Sequence, residues 1–87
     1  MTEYLGERYL SRTDPAAAGR GEQRVRAAAD ALTKEGTFVR FVRTIFVPDD
    51  ETCFYLFEAA DADVVRRAGT RAAVEFERVV EAVAGLT

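Results

Sequence analysis

The sequence predicts an α+β fold in the order strand, helix, hairpin, helix, strand, and three observations predict it. Thr37 to Val47 (TFVRFVRTIFV) is dense in β-branched and aromatic residues, the composition of a pleated, half-buried strand. Pro48-Asp49-Asp50 follows as a turn signal, and Thr52 to Ala59 (TCFYLFEA) is a second apolar strand, so 37–59 reads as a hairpin. On either side lie segments whose apolar residues recur at helical spacing.

Thr2 to Leu10 forms the first strand, bounded by Ser11-Arg12-Thr13. Asp14-Pro15 then signals a helix start, a carboxylate able to cap free N–H groups followed by a residue preset for the first turn. Gly19 and Gly21 interrupt the alanine-rich run, each costing about 1 kcal/mol relative to Ala. The firm helix is therefore placed at Glu22 to Lys34, with an apolar stripe of Val25, Ala28, Ala29 and Leu32 and a closing Gly36. Asp61 caps a second helix carrying Val64, Val65 and Ala68. The last segment is ambiguous, because Phe76, Val79, Val80 and Val83 fit helical spacing as well as a short strand. A final strand from about Glu77 to Val83 completes βαββαβ, the ferredoxin-like split βαβ arrangement: one four-stranded sheet with both helices on one face.

Length and composition bound the function. Eighty-seven residues make a single domain, 1–87, burying only about 60–65% of its unfolded surface. A chain 48% hydrophobic and 31% charged is not disordered. Twelve basic residues against fifteen acidic ones, net −3, leave no electrostatic footprint for nucleic acid. All the basic residues but Lys34 are Arg. No stretch approaches the ~20 apolar residues of a membrane span, and the first ten residues carry no signal pattern. A lone Cys53 allows no internal disulfide, which fits a cytoplasmic location. The chain has no His, which excludes Ser/His and Cys/His nucleophile pairs and histidine zinc sites.

Strand alternation sorts the hairpin into two faces. With Val47 paired to Thr52, Arg40, Val42, Thr44 and Phe46 share the helix-covered face with Cys53, Tyr55, Phe57 and Ala59. Val39, Phe41, Arg43 and Ile45 then share the other face with Phe54, Leu56 and Glu58. Placing the first strand beside the third as a parallel pair adds Glu7 and Tyr9 to that second face. Glu7, Tyr9, Arg43 and Glu58 are thus the candidate ligand-binding residues on an apolar surface too large to leave wet. Three readings stand beside one another: a Glu7–Arg43–Glu58 ion-pair network fixing a homodimer interface, a pocket whose polar groups orient a small ligand, and an acid/base pair with a carboxylate raised by desolvation. Cys53 reads as a buried small hydrophobe. Asp49, Asp50 and Glu51 read as a solvated turn, and Asp61 and Asp63 as helix-terminus carboxylates.

Glu7-Arg8-Tyr9-Leu10, Val39 to Ala59 and Ala72 to Val83 together resemble a family of small bacterial domains of unknown function often labelled nickel-binding proteins. The resemblance spans nearly the whole chain and implies a ferredoxin-like fold and a homodimer of the dimeric α/β-barrel kind. It departs near Gly69, where relatives carry a polar residue, sometimes His, and at Ala73-Val74-Glu75, where they carry Gly-Leu-Pro. Nickel here would have to take carboxylates and Cys53, a poor donor set for that ion; no residue is assigned to a metal. The expected function is a small dimeric domain binding a ligand, or a divalent metal such as nickel, at the Glu7, Arg43 and Glu58 face. The alternatives are a cofactor-independent cyclase, isomerase or monooxygenase on the same fold, and a purely structural dimer.

Overall fold

The computed structural model describes residues 1–83 and 85. The chain forms β1 (Thr2–Tyr9), α1 (Ala16–Lys34), β2 (Val39–Val47), a 3-10 turn (Pro48–Asp50), β3 (Thr52–Ala59), α2 (Ala62–Arg71) and β4 (Arg78–Ala82). The sheet order is β2-β3-β1-β4, the ferredoxin-like α+β topology. Every neighbouring pair is antiparallel. This corrects the expectation of a parallel β1–β3 pair. The α1 crossover makes β1 parallel to β2, two positions away, so β3, reversed by its hairpin, runs against both.

Helix α1 begins at Ala16 and runs through both glycines, six residues ahead of the expected start. Tertiary packing overrides the propensity penalty. Gly21 is buried, and a Cβ there would overlap the Tyr55 hydroxyl, which crosses the helix surface to donate to the Ala18 carbonyl at 3.3 Å. The helix is also capped differently from expectation. Pro15 holds the N-cap position without a side-chain cap, and the Asp14 carboxylate instead pairs with Arg20 at 3.1 Å. At the other end Gly36, with φ +101°, terminates the helix as expected. Asp61 does cap α2, accepting from the Val64 N–H at 3.0 Å.

The core lies between the helices and one sheet face. Val25, Ala29 and Leu32 of α1 and Val65 and Ala68 of α2 close over Tyr55, Phe57, Cys53 and Ala59 of β3. Tyr55 and Phe57 are fully buried, each contributing about 1.5–3 kcal/mol of apolar burial. Phe76, from the α2–β4 connection, lies against Gly6 and Gly69, where side chains would collide with its ring. It also packs at 5.9 Å, ring to ring, against both Tyr55 and Phe57. Burial of this ring fixes the connection, so β4 follows as a strand at 78–82, within the expected 77–83.

One irregularity redistributes the β2 side chains. Val47 pairs with Thr52 as predicted, and the register holds to Arg43–Leu56, but Phe41 then pairs with Phe57, leaving Val42 as an extra residue. A bulge of this kind reverses the alternation beyond it. Val39 and Phe41 therefore enter the core, 3% and 6% exposed, and Arg40 moves to the opposite face. The expected places of Val39, Arg40 and Phe41 are thus reversed.

Candidate binding surface on the open sheet face

The helices take one face of the sheet and leave the other open among the described residues. Its centre is apolar by register: Leu5 of β1 lies between Leu56 of β3 and Val80 of β4. Phe54 and Ile45 extend this surface on the β3–β2 side. Ile45 is 44% exposed and Tyr9 58% exposed, although both are large.

Glu7, Tyr9, Arg43 and Glu58 all fall on this face. Glu7 lies opposite Phe54, Tyr9 opposite Thr52, and Glu58 opposite Glu3, while Arg43 lies opposite Leu56. They do not form one cluster. The Phe54 level, where Glu7 sits, is four residues along β3 from Glu58, roughly 13 Å at the rise of an extended strand. The expected Glu7–Arg43–Glu58 network is replaced by two separate pairs. Arg40 Nε donates to Glu58 Oε1 at 2.7 Å, and Arg78 Nε meets Glu7 Oε2 at 3.0 Å. Arg43 joins no ion pair among the described residues. Tyr9 donates to Glu51 Oε2 at 3.4 Å, and the same oxygen accepts from the Arg12 N–H at 3.0 Å, tying the end of β1 to the β2–β3 turn.

The electrostatics follow from these partners. The hydrogen bond from Arg40 and then its charge hold the Glu58 carboxyl below its ordinary value. The expected raised carboxylate is therefore not found at Glu58, because a guanidinium reaches it before desolvation can dominate. Cys53 lies on the other face, fully buried, and burial pushes its thiol up. Tyr55 beside it is pushed up to about 12, first by burial and then by its hydrogen bond with Cys53.

Sequence reasoning missed Arg40 and Arg78 as partners. Arg40 was hidden by the bulge, and Arg78 depends on the β1–β4 register, which places it opposite Glu7. Arg8 was also missed, although the alternation of Leu5, Glu7 and Tyr9 signalled that it faces the helices.

The chain matches the model of the family described as nickel responsive protein SCO4226-like over residues 4–82. It is similar to the crystal structure of SCO4226 from Streptomyces coelicolor A3(2), with a TM-score of 0.73 and 19% identity over 97% of this chain and 99% of that one. At that identity the likeness establishes the fold. No curated protein sequence matches. Four strands, two helices and the family match over almost the whole chain agree: the chain belongs to the SCO4226-like family of nickel responsive proteins.

Proposed function

We propose that the protein is a small binding domain that pairs with a second copy through the open sheet face and holds a small ligand in the space so enclosed. The observation that carries this reading is the uncovered apolar row Leu5–Leu56, with Val80 and Phe54 beside it, opposite the helix-packed core. A continuous apolar face on a domain this small is stabilised by being covered. Within it, Glu7 and Glu58 are each engaged by an arginine, so they serve as supports rather than free acids. Arg43 is the polar handle, a guanidinium with no partner of its own among the described residues, suited to a ligand carboxylate or another planar acceptor.

The family's description names nickel, and the residues of this chain do not fit that ion. The sequence has no His. Cys53 is buried under the helices, on the face opposite Glu7 and Glu58, and both carboxylates are held by guanidinium groups. Among the described residues no three His, Cys, Asp or Glu side chains are grouped as a metal site would require. No step is assigned to a metal.

Sedimentation of the whole chain tests the pairing. The expected result is a dimer for the native sequence and a monomer for Ile45→Asp, which alters an exposed residue and leaves the core untouched. A native chain that sediments as a monomer at high micromolar concentration overturns the reading.

A further inference from the structure

Arg8 projects from β1 on the helix side, opposite Cys53, where a charge is out of place. Its Nη1 is sealed from solvent and has no hydrogen-bond partner. That atom lies beneath α1, 3.0 Å from where a Gly21 Cβ would be, with the Tyr55 hydroxyl converging on the same spot. Arg8 joins no ion pair among the described residues. A sealed, charged donor without an acceptor lowers stability, and an apolar side chain of similar reach would remove that penalty.

The remainder of the side chain is only partly buried. It lines a cleft of about 400 Å³ with Tyr9, Ala73, Glu75 and Glu77. Ala73 stands at φ +56°, and the Glu77 N–H donates to the Glu7 carbonyl at 2.7 Å, which ties the segment carrying both glutamates to β1. The cleft therefore presents one guanidinium and two carboxylates, and neither carboxylate is paired with Arg8. A plain anion would meet the two glutamates, and a plain cation would meet Arg8. The complement of such a wall is a molecule carrying both charges.

We infer that this cleft binds a small zwitterion of the free amino acid class, its carboxylate on Arg8 and its ammonium on Glu75 and Glu77. A guanidinium offers a carboxylate two parallel N–H donors, while an ammonium needs only acceptors, which the glutamates supply. The penalty at Nη1 is then the cost of holding the other end of the guanidinium at the cleft. The cleft sits at the end of β1, where Arg8 reaches it from the helix side and Tyr9 from the open face.

Two-dimensional ¹⁵N–¹H spectra of the whole chain test it, with glycine, 4-aminobutanoate, acetate and methylammonium as probes at millimolar concentration. Saturable shifts of the Arg8 Nε–H and of the Glu75 and Glu77 amides are expected with glycine or 4-aminobutanoate, at least about tenfold tighter than with acetate or methylammonium. Arg8→Met should abolish the response and raise the thermal midpoint. The exposed double variant Glu75→Gln/Glu77→Gln should weaken the response with no change of fold. The inference is overturned if neither amino acid gives saturable shifts, if acetate binds as tightly, if either variant retains the full response, or if Arg8→Met lowers the midpoint.

Discussion

Arg40 and Glu58 meet at 2.7 Å across the β2–β3 ladder on the open sheet face, and they do so because Val42 stands outside the ladder as an unpaired residue. Were Val42 paired in turn with Phe57, Phe41 would leave the core and Arg40 would share the helix-covered face. Deleting Val42 takes out the unpaired residue and leaves Phe41 opposite Phe57 and Arg40 opposite Glu58, so cooperative folding is expected to survive with β2 straightened, and loss of the unfolding transition would contradict the bulge. Arg40→Ala, which removes only an exposed pair, should leave the unfolding midpoint almost unchanged. Urea denaturation followed by circular dichroism checks both.

The two glycines of α1 should respond to alanine in opposite senses. Gly19 is exposed with open space around its Cβ position, so Gly19→Ala should stabilise the chain by about 0.5–1 kcal/mol. Gly21→Ala forces a methyl against the Tyr55 hydroxyl and should cost about 1–3 kcal/mol. Adding Tyr55→Phe should recover part of that loss. A Gly21→Ala protein as stable as the native chain would show that the hydroxyl does not sit over the helix.

Ala73 adopts φ +56°, a left-handed conformation that costs a non-glycine residue roughly 1–2 kcal/mol. Ala73→Gly should raise stability by about 0.5–1 kcal/mol after the entropy of the unfolded glycine is counted. Thermal denaturation checks this, and an unchanged or lowered midpoint would contradict the strained backbone.

Alkaline conditions should unfold the protein through its buried hydroxyl and thiol. Tyr55 is raised from 10.0 to about 12, and Cys53 is raised as well, so the folded chain retains protons that the unfolded chain releases. The associated stability is complete below the unfolded values and is lost as pH climbs through the folded ones. Stability should fall above about pH 9 and most steeply between about 10 and 12. Tyr55→Phe should flatten the 10–12 part of that decline in a pH series of urea melts.

Calorimetric titration with nickel is expected to give no saturable heat, because the softest donor, Cys53, is buried in the core and Glu7 and Glu58 of the open face are engaged by arginines. Tight binding with a defined stoichiometry would require ligands gathered from two copies.

Much of this architecture was readable from local chemistry. The hairpin, the Asp61 cap and the Gly36 terminus follow from short-range signals, and the structure places all three where the sequence does. The family resemblance read from the Glu7–Leu10, hairpin and Ala72–Val83 stretches agrees with the family match over 4–82. What escaped was set by tertiary packing. The early turns of α1 depend on the Tyr55 hydroxyl, which lies 34 residues beyond Gly21 in the chain. The bulge at Val42 leaves no mark in an unbroken run of strand-forming residues, and it alone exchanged Arg40 with Phe41. The four candidate residues do share a face, but their partners were misassigned because one partner lies beyond the bulge and the other on β4.

The bulge has a bearing on assembly as well. β2 is an outer strand of the sheet, and its outward backbone groups would otherwise offer a straight template to any extended peptide. An extra residue in its middle breaks the regular spacing that strand addition requires. The opposite border is β4, only five residues long. Both borders are thus poor seeds for edge-to-edge growth into fibrils.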